Sequence, residues 1–195
     1  MFLTVPISPL QVMAFMALSL VFFLFLIRAA SRRTKESGVR MDRRSRVGII
    51  LQSVGIGIAG LGRPRPTLDS LSAAGLLGTA AVLLFMGGSI YLFAASSRAL
   101  GQNWSLVART RDDHELVRIG PYALVRHPIY LGMLLFLFGL VAAFGHWAMA
   151  IIAVPVFLLG TAIRTRIEDG LLEQSFGDTF RDYRSTTPAI IPRLP

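Results

Sequence analysis

Five long runs of mostly apolar residues constrain the fold of this chain more than any other feature of its sequence. The first run, residues 10–27, contains no charged side chain, and a helix needs a stretch of roughly 17–25 apolar residues to cross a bilayer. The whole chain is 53% hydrophobic and 16% charged, whereas soluble domains are about 45–50% apolar and about 25% charged. We therefore predict an all-α, multi-pass integral membrane protein with about five transmembrane helices. The runs are residues 10–27, 47–62, 68–95, 129–144 and 147–163.

The segments between the runs indicate where the helices are interrupted. The second run is short and rich in glycine, so it is expected to be a thin or tilted span or half of a hairpin. Pro64 and Pro66 end it, because prolines this close together cannot continue a helix. Residues 145–146 leave room only for a tight hairpin between the last two runs. Residues 96–126 are expected to form a polar loop, and residues 164–195 a polar tail.

Basic residues are distributed unevenly among these segments, and their distribution predicts the topology. Eighteen of the twenty Lys and Arg residues fall in segments 28–46, 96–128 and 164–195, and the other two lie between the second and third runs. Basic residues favour the cytoplasmic side, so the C-terminus is predicted to be cytoplasmic and the N-terminus outside. No basic residue precedes the first run, which is typical of a transmembrane helix rather than a signal peptide. A single lysine among the twenty indicates a GC-rich bacterial source, and hence a bacterial inner membrane.

The composition also excludes several classes of function. The chain has no cysteine, which excludes disulfides, thiolate catalysis and Cys-based metal sites. The formal net charge of +9 would suggest nucleic acid in a soluble protein, but here topology explains the arginines and no nucleic-acid partner is expected. A metal site built from His114, His127 and a carboxylate is weakly supported, since no two His residues have ligand spacing on a helix. No metal site is predicted.

A dense group of polar side chains lies where the polar loop meets the fourth run, at the predicted edge of the membrane. Tyr122, Arg126, His127 and Tyr130 crowd into nine positions there. Polar and ionisable groups at this depth are costly, so they indicate a functional site. Pro128 suits the first turn of a helix and pushes the preceding residue out of helical geometry. His127 is therefore expected where a helix begins, with Tyr130 about one turn into it.

Two further clusters fall on the same predicted side of the membrane. Residues 114–117 precede the motif, and Arg164, Glu168 and Asp169 follow the last run. Arg164 and Glu168 are spaced i, i+4, so on a continuing helix they share one face.

Each of these residues also has a simpler structural interpretation. Arg126 lies at the cytoplasmic end of a predicted span, where a basic residue usually only sets the topology or extends its charge to the headgroups. His127 is also explained as the residue that caps its helix. An Arg–Glu pair at i, i+4 is most often a solvated surface pair, and the tyrosines of the motif fit an interfacial aromatic belt. His146 and Trp147, in the predicted outer hairpin, are interpreted as interfacial rather than functional.

Taken together, the motifs resemble a known family. Their order and spacing are similar to those of the isoprenylcysteine carboxyl methyltransferase family and its phospholipid N-methyltransferase relatives. The resemblance covers residues 101–195, and the first two runs resemble nothing in particular. It rests on Leu116-Val117-x-x-Gly120-Pro121-Tyr122, Arg126-His127-Pro128-x-Tyr130-x-Gly132, Arg164-x-x-x-Glu168-Asp169-x-x-Leu172, Phe176-Gly177-x-x-Phe180-x-x-Tyr183 and Ile191-Pro192.

The resemblance implies an S-adenosylmethionine-dependent methyltransferase with a lipid-like or prenyl-like acceptor and a cytoplasmic cofactor pocket. Residues 1–195 then form a single membrane domain, in which 101–195 is a methyltransferase core of cofactor-binding loop, helical hairpin and C-terminal tail. The matching arginine, Arg164, faces the acceptor. Asp169 and Phe180 depart from the family, which usually has Glu and Tyr there. The cofactor-binding residues that it implies are His114, Glu115, Leu116, Val117, Tyr122, His127, Pro128, Ile129, Tyr130 and Glu168.

The chemistry of methyl transfer suits these residue types. Displacement at a sulfonium methyl needs alignment and exclusion of water more than acid–base catalysis. A carboxylate acceptor is already ionised near neutral pH, and Arg164 suits a bidentate grip on it, although an amine or a thiol stays open. The acceptor is expected to enter sideways from the bilayer.

Two other classes of function stay open. Membrane sterol or lipid reductases that use NADPH carry a similar Arg-His-Pro-x-Tyr near their C-terminus, but they are usually longer and have more spans. A non-enzymatic membrane subunit, for transport or assembly, would place polar residues in the middle of its spans, and here the spans are nearly free of charge.

Overall fold

The computed structural model describes residues 4–31, 40–41, 44–101, 109–110 and 116–192. Apart from two strands of two residues each, these residues form helices and connections, so the prediction of an all-α protein is confirmed. The strands, β1 (Arg40–Met41) and β2 (Arg109–Thr110), pair antiparallel with Arg40 opposite Thr110. The helices are α1 (Pro9–Ser31), α2 (Ser45–Ala59), α3 (Ala73–Leu100), α4 (Pro128–Phe144), α5 (Trp147–Phe176) and α6 (Asp178–Thr186), with a 3₁₀ turn at Gly120–Ala123.

The five predicted runs correspond in order to the five longest helices. Three of them, α1, α3 and α5, are long and apolar enough to cross a membrane, whereas α2 and α4 are apolar but shorter, with 15 and 17 residues. The molecule is therefore a membrane protein with at least these three candidate spans in its described part. The crossing of the bilayer by α2 and α4 stays a prediction.

Helix α2 packs most extensively against α5, and small residues bring the two backbones into contact. A Cβ on Gly55 would lie 2.9 Å from the Ala153 carbonyl oxygen, and a Cβ on Gly160 would lie 2.6 Å from that of Gly48. Small residues allow this close approach between membrane helices. These contacts hold α2 against residues 153–164 of α5.

A second set of contacts joins α3 to α4 and to α1. The buried core between these helices includes Phe15, Met86 and Leu137. Phe15 packs at 5.7 Å between ring centroids against both Phe136 and Phe144 of α4. The packing leaves the N-terminal end of α4 and the C-terminal third of α5 next to each other.

The description of residues 164–195 as a polar tail is incomplete, because the segment is largely helical as far as residue 186. Helix α5 continues to Phe176, and α6 follows after Gly177. Hydropathy marks where an apolar run ends, not where the helix ends, and the extension buries one polar face through Arg164, Thr165 and Asp169. The polar-loop prediction is also too broad at its start, because α3 reaches Leu100.

The predicted tight hairpin is confirmed, but the interpretation of His146 is wrong. Gly145 ends α4 with φ +69°, a left-handed conformation that favours glycine. His146 is buried rather than interfacial: it stacks on Phe144 at 5.9 Å, and its Nδ1 lies 3.3 Å from the Ala59 carbonyl oxygen. Trp147 beside it is exposed.

Candidate active site

The polar motif lies at a junction that the local sequence determines. Pro128 is the first residue of α4, and His127 before it has φ −126° and ψ 60°, outside helical geometry. The His127 carbonyl accepts the first hydrogen bond of the helix from the Tyr130 backbone N–H at 3.1 Å. The predicted helix start at this position is therefore confirmed.

The His127 side chain is held between two carboxylates of α5. Its Nδ1 lies 3.3 Å from Glu168 Oε2 and its Nε2 lies 2.9 Å from Asp169 Oδ1. Burial alone would lower the pKa of His127, but the hydrogen bonds to Asp169 and Glu168 outweigh it and the net pKa is raised. The side chain makes no helix-capping hydrogen bond, so the capping interpretation is wrong.

Arg126 points into the protein rather than to the headgroups. Its Nη2 lies 2.9 Å from Asp169 Oδ2, and the two side chains are only 9% and 12% exposed. Its Nη1 donates to the carbonyl oxygens of Thr187 and Arg184. Snorkelling therefore does not describe this arginine, which joins α5 to the chain after α6.

The C-terminal segment is fixed along the motif by backbone hydrogen bonds. The N–H groups of Arg126 and His127 donate to the carbonyl oxygens of Pro188 and Ala189, each at 2.9 Å. The Tyr183 hydroxyl of α6 donates to the Tyr122 carbonyl oxygen at 2.6 Å. These three bonds hold α6 and the segment that follows it against the 3₁₀ turn and the start of α4.

Tyr130 occupies the centre of the cluster. Its hydroxyl donates to Glu168 Oε1, and its ring stacks on His127 with 5.7 Å between centroids and 21° between planes. The Arg164 guanidinium lies over the same ring, 4.9 Å from its centroid, within the range of a cation–π contact. A buried tyrosine with these partners does not belong to an interfacial belt.

Arg164 and Glu168 share one face of α5, as their spacing predicts. Arg164 Nη2 lies 3.5 Å from Glu168 Oε1, with side chains 8% and 23% exposed. The pair is therefore not a solvated surface pair. Glu168 is the more exposed of the two side chains, and both of its carboxylate oxygens have partners in the cluster.

The other predicted site residues lie around this cluster or outside the described residues. Tyr122 is buried in the 3₁₀ turn, and burial raises the pKa of its hydroxyl. Pro128 is buried, and Ile129 packs against the cluster of Phe22 and Phe93. Leu116 and Val117 are half-buried at the start of the segment that leads to the turn. His114 and Glu115 lie outside the described residues, so their predicted role stays a prediction.

Comparison with known proteins decides the family. The sequence model of the phospholipid methyltransferase family matches residues 77–179, more than half of the chain. This chain belongs to the phospholipid methyltransferase family. The resemblance of its motifs to the isoprenylcysteine carboxyl methyltransferases and their phospholipid-methylating relatives is confirmed.

Curated relatives include one methyltransferase and two proteins named for metal resistance. The chain is 34% identical over 107 residues to protein-S-isoprenylcysteine O-methyltransferase of Schizosaccharomyces pombe, covering 54% of this chain and 45% of that protein. It is 35% identical over 115 residues to the nickel-cobalt-cadmium resistance protein NccN of Alcaligenes xylosoxydans xylosoxydans, covering 58% and 52%. It is 35% identical over 104 residues to the cobalt-zinc-cadmium resistance protein CzcN of Cupriavidus metallidurans, covering 53% and 48%.

The chain spans about half the length of the curated relatives that it matches. In the part of the chain that the structure describes, no three His, Asp or Glu side chains are placed to hold a metal ion.

The two departures of this family member from the usual pattern have structural explanations. Asp169 reaches both Arg126 and His127 at 2.9 Å with its shorter side chain. Phe180 is fully buried and packs edge-on against Tyr183 at 6.3 Å. A phenylalanine needs no polar partner in that apolar position, whereas a tyrosine hydroxyl would.

One buried residue of the cluster was missed by sequence reasoning. Gln52 of α2 accepts a hydrogen bond from Arg164 Nη1 at 3.3 Å and donates through Nε2 to Thr161 Oγ1 at 2.9 Å. The available signal was a polar side chain within an apolar run, which is costly without a partner. The run carried no family motif, so nothing in the sequence indicated what that partner was.

Proposed function

We propose that this family member is an S-adenosylmethionine-dependent methyltransferase that esterifies the carboxylate of a lipid-like or prenyl-like acceptor. Its family and its S. pombe relative support methyltransferase activity. The observation that carries the proposal is the buried cluster in which Arg164 and Glu168 of α5 meet Tyr130 and His127 of α4. In this cluster Arg164, which the resemblance assigns to the acceptor, lies next to Glu168, which it assigns to the cofactor.

The residues present fit a cationic cofactor. Glu168 offers a negative charge on a partly exposed side chain, and Tyr130 offers an aromatic ring beside it. Both groups attract positive charge. S-adenosylmethionine, when bound, supplies an electrophilic methyl group on a positively charged sulfur. Residues 114–117, Tyr122, and 127–130 would complete its binding site. Glu168 and Tyr130 would orient the cofactor, and the burial of Tyr122 would exclude water from one side.

The charge of the cluster favours an anionic acceptor. Arg126 and Arg164 are cationic, and His127 is held towards its protonated form by its two carboxylate partners. Glu168 and Asp169 contribute the two negative charges. Counted over these described residues, one positive charge is left over when His127 is protonated, and an acceptor carboxylate would balance it. The acceptor needs no general base, because a carboxylate is already ionised near pH 7.

The proposed arrangement in the membrane follows from the distribution of charge. We place the site on the cytoplasmic side of a bacterial inner membrane, with the N-terminus outside and five helices crossing. A water-soluble cofactor then enters from the cytoplasm, and the acceptor enters from the bilayer between helices. Residues 101–195 would form the methyltransferase core.

Binding and transfer measurements on the detergent-purified chain test this proposal. Calorimetry with S-adenosylmethionine should show binding that weakens in Glu168→Gln, and NADPH should not bind. Transfer of labelled methyl to S-farnesylated N-acetylcysteine should give a product that releases labelled methanol in base, as a methyl ester does. The matched primary amide of the same probe should accept no methyl.

Other outcomes point to the alternatives. Binding of NADPH in place of S-adenosylmethionine would move the protein to the reductase class. Label that is stable to base, transferred to phosphatidylethanolamine vesicles, would identify an amine acceptor. Binding of neither cofactor would contradict the enzyme proposal.

A further inference from the structure

Helix α2 lies outside the residues that match the family, yet it touches the arginine assigned to the acceptor. The matched segment is 77–179, whereas α2 covers Ser45–Ala59. A Cβ on Gly48 would overlap the aliphatic stem of Arg164 at Cγ, and it would lie 3.2 Å from Cδ. One turn further along, Gln52 accepts a hydrogen bond from the guanidinium of the same arginine.

The direction of each hydrogen bond around Gln52 is fixed by the main chain. The Thr161 hydroxyl donates to the Phe157 carbonyl oxygen at 2.9 Å, so its proton is committed. Its oxygen can then only accept from Gln52, and Nε2 of Gln52 must face it at 2.9 Å. This leaves Oε1 towards Arg164, which resolves the usual ambiguity in the orientation of an amide.

Arg164 is consequently held from three helices. Gln52 of α2 accepts from Nη1, Glu168 of α5 pairs with Nη2, and the ring of Tyr130 in α4 lies under the guanidinium plane. A guanidinium bound at two of its nitrogens and on one face has little freedom to rotate. Gln52 and Thr161 are themselves buried, so solvent does not compete for these bonds.

We propose that Gln52 is a positioning residue that fixes the Arg164 guanidinium for the acceptor carboxylate, with Thr161 setting the orientation of its amide. The inference rests on the proposed function, because it takes Arg164 as the acceptor-binding group. It extends the active site to α2. Gln52 then acts on the acceptor through Arg164, whereas the proposed function assigns the cofactor to Glu168.

The proposal predicts a change in acceptor affinity without a change in cofactor binding. Gln52→Met keeps the volume and removes both hydrogen bonds. It should raise KM for S-farnesylated N-acetylcysteine roughly tenfold, the effect of losing a hydrogen bond to a charged group. The affinity for S-adenosylmethionine measured by calorimetry should change less than the acceptor KM, because Gln52 contacts Arg164 directly and reaches Glu168 only through it.

A second pair of variants keeps the test valid if Gln52→Met folds poorly. Thr161→Val removes the hydroxyl that orients Gln52 without touching Arg164, and it should raise the acceptor KM in the same direction. Thr161→Ser retains the hydroxyl, so its acceptor KM should stay close to that of the wild type. Gln11→Met is the matched control, because Gln11 is also a buried glutamine but bonds to Ser8 and Ala142 at the other end of the helices.

Four results would overturn the inference. An unchanged acceptor KM in Gln52→Met, with methyl transfer intact, contradicts the role of Gln52 but not the proposed function. So does an equal rise in KM in the Gln11→Met control, which indicates a general effect of lost stability. Absence of methyl transfer to the carboxylate probe in the wild-type chain contradicts the proposed function, and with it the role of Gln52. In an Arg164→Met background, a further rise in KM on adding Gln52→Met would show that Gln52 does not act through Arg164.

Discussion

At the scale of single residues, the ring nitrogens of His127 connect the chemistry of the site to its stability. The folded protein raises the pKa of His127 above its unfolded value through Asp169 and Glu168, against the effect of burial. The protonated form is therefore stabilised by folding. This stability is fully present below the unfolded pKa of about 6.5 and is lost as the pH rises through the folded pKa.

This linkage predicts how the melting temperature depends on pH. The melting temperature of the detergent-purified wild type should fall as the pH rises from about 6.5 through the raised pKa of His127. His127→Gln should be less stable and should show a flatter curve over the same range. Differential scanning fluorimetry in matched buffers gives the melting temperature of each protein at each pH. The difference between the two proteins, followed over pH, isolates the contribution of His127. A difference that is constant with pH would contradict the proposed protonation.

Asp169 provides a second prediction at this scale, because it holds two cationic side chains at once. Asp169→Asn removes the charge that faces Arg126 and His127, both within 2.9 Å. Breaking a buried pair in this way leaves uncompensated charge and should cost roughly 3–5 kcal/mol. Asp178, which pairs with Arg181 at 3.2 Å but is 92% exposed, offers a matched control: Asp178→Asn should cost between about 0 and 1 kcal/mol.

Both variants are compared by denaturation in the same detergent. Equal costs for Asp169→Asn and Asp178→Asn would mean that the contacts of Asp169 are as weak as a surface pair. A large cost for Asp169→Asn with unchanged affinity for S-adenosylmethionine would place this residue in the structure of the site rather than in cofactor binding.

At the scale of elements, the packing of α2 on α5 depends on glycines facing α5. A Cβ on Gly55 would meet the Ala153 carbonyl oxygen and the Phe157 backbone N, each at 2.9 Å, and backbone atoms cannot yield as flexible side chains do. Gly57, two residues further along, has nothing within 4 Å of the same added atom. The two glycines therefore separate the packing effect from the general effect of glycine in a helix.

The expected results have opposite signs. Gly55→Ala should destabilise the protein by about 1–3 kcal/mol through overpacking. Gly57→Ala should be neutral or should stabilise it by about 0.5–1 kcal/mol through its better helix propensity. Melting temperatures of the two purified variants test this, and a stable Gly55→Ala would mean that α2 is not held against α5 at this distance.

The same element contacts explain which parts of the structure the sequence predicts. The order Arg126-His127-Pro128 predicts the start of α4, because proline restricts its neighbours locally. The i, i+4 spacing predicts the shared face of Arg164 and Glu168, because helical geometry is also local. The hydrogen bond from Arg164 to Gln52 joins residues 112 positions apart, and no local rule reports such a pairing.

At the scale of the whole molecule, the structure separates two ends. At one end, Val5 donates to the Gly145 carbonyl oxygen at 2.9 Å and Ile7 donates to that of Arg65 at 3.0 Å. These contacts bring together the N-terminal segment, the α2–α3 connection and the α4–α5 turn. The charge distribution predicts that this end lies outside. The cluster of Arg126, Arg164 and their partners lies at the opposite ends of α4 and α5. We propose that α2 and α4 cross the membrane between these two ends.

The topology can be tested directly because the natural chain contains no cysteine. Single cysteines at Leu71 and Ile191, whose side chains are 78% and 77% exposed, would report the two ends. In intact spheroplasts, a membrane-impermeant maleimide should label Leu71→Cys and should reach Ile191→Cys only after permeabilisation. Val82→Cys, at a fully buried position of α3, is the control that should stay unlabelled in both conditions. Labelling of Ile191→Cys before permeabilisation, with Leu71→Cys protected, would mean that the protein has the opposite orientation in the membrane. Labelling of both at once would mean that an even number of the helices between them, α3, α4 and α5, crosses the membrane. The shorter α4 would then lie along the membrane surface instead of crossing it.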